Sequence, residues 1–288
     1  MPPKTAGNIE AFAGNFGPVI IDAHLHCSGR ENDCDVLRAL DDADVDVGVL
    51  LAPFLDPPYR YDDRSLLHRA NRHVASLVSG HEDRLIGLAV INPALHGAAS
   101  DLREAVESLG LRGAKMVPSG WFPYDDCAHD VYATASQLQV PILFHSGIFI
   151  DGRSSRYCRP AFFEAVREHP GLRVTLAHLG WPWCDEANAV GLIDLINGIN
   201  PDSSQFRFDI SFGAPPIYRE DVLRKALAVL TPALLQFGSD RFLPCSGEHI
   251  RSAIAEVDAL FNLLGMDESA RERVMSGTAA AWLGLDVR

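Results

Sequence analysis

The chain has 288 residues, 47% of them hydrophobic, enough for one large α/β barrel or two smaller domains with a substantial core. Its formal net charge of −13 argues against a nucleic-acid or anionic-membrane surface, where a basic patch is expected. No apolar run approaches the ~20 residues of a membrane span, and residues 1–17, whose one basic residue is Lys4, lack the continuous apolar region of a signal peptide. The cytoplasm is therefore the expected location. Cys27, Cys34, Cys127, Cys158, Cys184 and Cys245 form no Cys-x-x-Cys pair and are expected to be free thiols.

Residues 1–17, rich in Gly, Asn and Ala, read as an arm, and 18–288 as one barrel domain. Strand-like apolar runs are predicted at Pro18–His26, Asp46–Ala52, Arg84–Ile91, Arg112–Val117, Val140–His145, Leu172–His178, Gln205–Ser211 and Leu234–Asp240. Between them fall helical patterns at Asp33–Asp42, Ser65–Ser79, Ala98–Leu109, Ala128–Leu138, Ala161–His169, Asp185–Asn197 and Asp221–Leu230, and the helices Glu248–Leu264 and Glu268–Leu283 close the chain. Strands buried on both faces read as continuous apolar runs. Eight of them alternating with helices predict a parallel (β/α)8 TIM barrel. An open doubly wound sheet would need a Gly-rich phosphate loop, and none is present.

In such a barrel the chemistry sits at the C-terminal strand ends. Five candidate metal ligands lie there. His24 and His26 share the first strand, and as i and i+2 they project from one face. His145 ends the fifth strand, His178 the sixth and Asp240 the eighth. The other histidines (His68, His73, His81, His96, His129, His169 and His249) fall in helices or connections and read as solvated or locally hydrogen-bonded.

Several motifs carry a family resemblance: Ile21-Asp22-Ala23-His24-Leu25-His26, Gly110-Leu111-Arg112-Gly113-Ala114-Lys115, Pro141-Ile142-Leu143-Phe144-His145-Ser146-Gly147, Leu176-Ala177-His178-Leu179-Gly180, Phe237-Gly238-Ser239-Asp240 and the closing Ser276–Gly284. In this order, over residues 18–285, they resemble the amidohydrolase superfamily, specifically its amidohydrolase-related (amidohydrolase-2) branch of metal-dependent hydrolases and decarboxylases. The resemblance implies one divalent metal, zinc first and manganese second. His24, His26 and His145 would be ligands. Asp240 would be a fourth, or the base that holds a water. His178 would contact that water or the substrate. A zinc site of this kind keeps an open position for water, and a carboxylate beside it can take the proton.

Lys115 ends the fourth strand. In other branches of the superfamily a lysine there is carbamylated and bridges two metals. An ammonium that orients an anionic substrate, or one paired beneath the site, are the other readings. The loops that follow the strands carry Trp121, Phe122, Tyr124, Phe149, Arg153, Arg156, Tyr157, Trp181, Trp183, Arg241 and Phe242. Aromatics with arginines suit a planar or unsaturated carboxylate, so Lys115, Trp121, Arg153, Trp181 and Arg241 are the candidate substrate contacts.

The leading expectation is hydrolysis, by metal-activated water, of an ester, lactone or amide in a small carboxylate-bearing molecule. Non-oxidative decarboxylation of an aromatic or unsaturated acid is the alternative, with hydration third. It ranks second because the branch's decarboxylases are usually longer, with larger insertions. A non-catalytic binding barrel is the reading from another class, and the complete ligand set argues against it. A small-molecule substrate is the expected partner, with neither nucleic acid nor membrane, and a homo-oligomer is left open.

Overall fold

The computed structural model describes residues 18–52, 60–211 and 213–285. The expected arm, residues 1–17, lies outside the described residues. Among those described, the strands are β1 (Ile21–His26), β2 (Val47–Leu51), β3 (Leu85–Val90), β4 (Ala114–Met116), β5 (Ile142–Phe144), β6 (Val174–Leu176), β7 (Phe206–Asp209), β8 (Leu235–Gln236) and β9 (Arg241–Phe242). Every pairing is parallel, and the sheet runs β8-β7-β6-β5-β4-β3-β2-β1-β9.

β8 covers only the start of the expected eighth strand, Leu234–Asp240; Asp240 takes a left-handed φ of 54°, and β9 follows directly beyond it. That segment also closes the sheet. Ala23 N donates to Phe237 O (3.1 Å), Asp240 N to His24 O (2.9 Å) and Leu243 N to His26 O (2.7 Å). The fold is a (β/α)8 TIM barrel.

The helices are α1 (Asp33–Asp42), α2 (Arg64–Val78), α3 (Ala98–Glu107), α4 (Asp126–Leu138), α5 (Cys184–Ile196), α6 (Pro216–Val229), α7 (Gly247–Leu263), α8 (Glu268–Glu272) and α9 (Thr278–Leu283). Three of these starts carry side-chain caps, and at α8 Asp267 accepts from Ala270 N. Asn32 accepts from Asp35 N, and Asp63 accepts from Ser65 N and Leu66 N.

Three departures from the expected elements have local causes. The helix expected at Ala161–His169 is a 3-10 helix, Pro160–Glu168, squeezed between Pro160 and the stop at Pro170-Gly171. The last helix is broken by a π-turn at Arg273–Gly277, where the Val274 carbonyl turns to accept from Phe237 N at 2.9 Å. β6 ends at Leu176 because His178 and Leu179 take left-handed φ values of 61° and 47°.

Two apolar layers hold the barrel. Alternate strand residues such as Ile21, Val49, Leu51 and Leu88 fill its interior with Trp282 and Leu283 of α9. The opposite strand faces pack outward under the helices. No helix among the described residues is long and apolar enough to cross a membrane.

Candidate active site

The site begins with an irregularity in β1. Asp22 pairs with Gly48 and Leu25 with Leu50, so Ala23 and His24 together face the single residue Val49. This extra residue is a β-bulge, which shifts the alternation of a strand by one. Ile21 and Ala23 therefore pack into the barrel core, while His24 and His26 also turn to the interior.

There His24 Nε2 lies 3.0 Å from His26 Nε2. Asp240 Oδ1 lies 3.1 Å from His26 Nε2 and 3.4 Å from His24 Nε2. Close backbone approach permits this. A Cβ on Gly238 would stand 2.6 Å from His24 Cβ, and one on Gly213 would stand 2.4 Å from His178 Cβ.

Asp209, at the end of β7, anchors the other side. Its carboxylate accepts from His24 Nδ1 at 2.8 Å, from His178 N at 2.9 Å, from Ser211 N at 3.0 Å and from the Ser211 hydroxyl. Ser211 Oγ also lies 2.8 Å from His178 Nδ1. Neither Asp209 nor Ser211 is among the residues expected from sequence. The signal was a carboxylate closing an apolar strand, as Asp240 does.

His145 stacks on Phe149 with ring centroids 4.3 Å apart and 10° between planes, and His178 stands edge-on to it at 5.2 Å. Phe242 stacks on His26 at 4.7 Å.

Burial governs the charges here. It lowers His26 to about 3 despite the pull of Asp240. His145 and His178 are pushed down by burial as well. Burial would raise Asp209, but the charge and hydrogen bond of His24, then His178 and Ser211, hold it well below the carboxylate range. Asp240 is treated alike: burial opposes, and His178, His24 and His26 keep it ionised. Burial lowers Lys115 to about 8, against Asp209 and Asp240. It also raises Asp22 to about 6, in spite of bonds from Ser239 and His24.

This donor set suits a divalent cation. Ligand atoms roughly 2.0–2.2 Å from one ion stand about 3.0–3.5 Å from each other, which is the spacing of His24 Nε2, His26 Nε2 and Asp240 Oδ1. With Nδ1 bonded to Asp209, His24 turns its Nε2 lone pair inward. The buried His145 Nε2 has no hydrogen-bond partner. His24, His178 and Asp240 each bring a ligand atom within 4.8 Å of the others. Lys115 Nζ sits 3.2 Å from His24 Nε2, so the spot already draws positive charge.

A cleft of about 130 Å³ opens onto this cluster, lined by His26, His145, His178 and Asp240 at its floor and by Val117, Ile148, Phe149, Ile150, Asp151, Arg153, Gly213 and Phe242 around it. Of the five candidate substrate contacts only Arg153 lines it. Its guanidinium lies 4.1 Å over the Phe149 ring and its Nε donates to Asp151 at 2.8 Å. Lys115 is buried, with its Nζ against His24 Nε2 rather than on the cleft wall. Trp121 is 2% exposed within the hydrophobic core. Trp181 packs against that core, with Tyr218 at 6.1 Å. Arg241 Nε donates to His249 O at 3.1 Å.

Fold and site define a barrel enzyme class with a histidine-carboxylate centre. A family model described as Amidohydrolase matches residues 21–285, and the chain belongs to that family, whose structural relatives are enzymes. No curated protein matches the chain.

Among solved structures it is similar to 2,6-dihydroxybenzoate decarboxylase from Rhizobium, at 16% identity and TM-score 0.65, covering 94% of this chain and 99% of that one. It is also similar to 5-carboxyvanillate decarboxylase from Novosphingobium aromaticivorans, complexed with manganese and 4-hydroxy-3-methoxy-5-nitrobenzoic acid, at 13% identity and TM-score 0.65, covering 93% and 97%. A TIM-barrel protein from Bordetella bronchiseptica aligns at 16% identity and TM-score 0.68, covering 92% and 98%.

Proposed function

We propose that this chain is a metal-dependent, non-oxidative decarboxylase of a small aromatic or unsaturated carboxylic acid. The observation that carries this reading is the aromatic lining of the cleft: Phe149 and Phe242, each stacked on a floor histidine, face a narrow apolar space suited to a planar ring. The likeness to two enzymes of that chemistry supports it. His24, His26 and Asp240 would hold the ion, with His145 and His178 in reach; zinc and manganese are the candidates. When bound, the ion supplies positive charge that orients the substrate's carboxylate or an adjacent hydroxyl. Arg153 would steady a second polar group at the rim. Asp240, held ionised, would take a proton from a water or a substrate hydroxyl and, with His178 beside it, hand that proton to the carbon that loses carbon dioxide, so that one C–C bond breaks and one C–H bond forms.

A second reading, hydrolysis of an ester, lactone or amide, draws on one feature. Asp240 is held ionised beside His24 and His26, as a base that takes a proton from water must be. One experiment separates the two. Protein loaded with zinc or manganese is incubated with hydroxybenzoates and unsaturated acids, and with lactones and aryl esters, in 18O-labelled water. Carbon dioxide released together with a product lacking that carbon supports decarboxylation. Label entering a new carboxylate without carbon dioxide release would transfer the assignment to hydrolysis.

A further inference from the structure

Outside the barrel centre, two histidines from separate elements meet nitrogen to nitrogen, with their rings tilted at 45°. His129 Nδ1, on α4, lies 2.9 Å from His169 Nε2, which follows the 3-10 helix Pro160–Glu168. Read from sequence, both are local hydrogen-bonding side chains. Their placement is more constrained than that. The Tyr132 ring stands edge-on to His169 at 5.6 Å and lies 5.9 Å from His129. The backbone around His169 is tied down, with Gln205 Nε2 donating to His169 O at 2.8 Å and Ser136 Oγ to Pro170 O at 2.9 Å.

A carboxylate stands beside them. Glu168 Oε2 is 3.9 Å from His129 Nδ1, and the side chain is 72% exposed, so one rotamer change brings it closer. Asp126, one turn earlier on α4, adds negative charge to the same helix face. Burial and the neighbouring His129 lower the His169 imidazole below its ordinary value. Two imidazole nitrogens that share one proton in a hydrogen bond can, once that proton leaves, share one ion instead.

We propose that His129, His169 and Glu168 form a second metal site, for a borderline divalent transition ion of the zinc or nickel type. His129 Nδ1 and His169 Nε2, joined by a hydrogen bond at 2.9 Å, need part by only a few tenths of an ångström to take the spacing of two ligands on one ion, and imidazole favours these ions over magnesium or calcium. The two histidines are 40 residues apart in the chain, so only the folded protein presents them together. An ion there clips α4 to the segment that leads into β6, and it stabilises the fold through its preference for the native state.

The test compares wild type with His129→Gln and His169→Gln after equilibrium dialysis against zinc chloride, by elemental analysis and by thermal unfolding. The expected result is one more equivalent of zinc in wild type than in either variant, and a zinc-dependent rise in Tm that is smaller in both. Because the reading is a difference between chains with the same barrel centre, it does not depend on how that centre is loaded. Equal zinc content and equal Tm shifts in all three proteins would overturn the proposal. Should the histidine variants fail to fold, Glu168→Gln decides in their place: weaker zinc uptake at the second equivalent supports the site, and unchanged uptake overturns it.

Discussion

His24 Nδ1 lies 2.8 Å from Asp209 Oδ2, with both side chains fully buried. This pair fixes the imidazole's tautomer and plane, and it directs Nε2 at His26 and Asp240. Partners of this kind typically shift metal affinity by about 10–100-fold when changed. Asp209→Asn keeps the shape and removes the charge, so it should weaken the centre by about that factor and lower turnover with it. Competition against a chromophoric chelator measures the affinity. An unchanged affinity would mean that Asp209 only packs.

Gly238 is the close-approach position behind the same imidazole. A methyl group there meets His24 Cβ at 2.6 Å, so Gly238→Ala must push His24 away from Asp209 and His26. A displacement near 1 Å at a reacting centre can cost about a hundredfold in rate. Gly238→Ala should therefore fold with native circular dichroism, bind metal poorly and turn over about a hundredfold more slowly. Full metal content in the variant would show that β1 yields without disturbing the site.

The connection from β1 to α1 depends on one buried carboxylate. Glu31 accepts from Ser28 N at 3.0 Å, Ser28 Oγ at 2.7 Å, Gly29 N at 3.1 Å, Arg30 N at 3.2 Å and His73 Nε2 at 3.0 Å. Burial would raise its pKa, but these donors together set it below the ordinary glutamate value. A carboxyl lowered on folding stabilises the protein above its unfolded value, and that stability fades as pH falls through the folded value. Glu31→Gln should thus cost about 1–3 kcal/mol at pH 7, and the gap to wild type should narrow below about pH 4.5. Urea midpoints across pH 3–7 test the sign. A gap constant with pH would rule out the carboxylate's charge as the cause.

Metal removal offers a further check. His24, His26 and Asp240 converge at 3.0–3.4 Å, and the two ionised carboxylates Asp209 and Asp240 are faced by the buried ammonium of Lys115. Dialysis against a strong chelator should abolish turnover, and zinc or manganese should restore it. His26→Ala, which deletes one of the three converging atoms, should resist restoration at the metal concentration that suffices for wild type. Full activity in chelated protein would sink the metalloenzyme reading.

The barrel was legible because buried strands and helices alternate with distinct periods along this chain. The convergence of His24, His26, His145, His178 and Asp240 was legible because a barrel gathers its strand ends. What escaped depends on partners remote in sequence. The bulge at Ala23 and His24 exists only in register with β2. Asp209 looks like one more strand residue until its partner, 185 positions away, is known. Trp121 and Trp181 read as pocket aromatics, yet one is buried in the core and the other packs against it, since composition does not say which way a loop folds. The π-turn at Arg273–Gly277 follows from a carbonyl claimed by Phe237 N, a demand no local pattern encodes.

Arg153 is the lining residue that separates substrate recognition from the chemistry. It lies over Phe149, which covers His145, and Asp151 holds its Nε. The guanidinium is thus oriented at the rim, over the ring that covers His145. A charge-assisted bond to a substrate anion is worth about 1.5–3 kcal/mol. Arg153→Met, which keeps the stem over Phe149, should raise KM by about 10–100-fold and leave kcat within about threefold, because interactions made equally in ground and transition states act on KM alone. The loss should vanish for a substrate analogue lacking the second polar group. If kcat fell while KM stayed constant, Arg153 would instead be stabilising charge that develops in the transition state, and the rim assignment would be wrong.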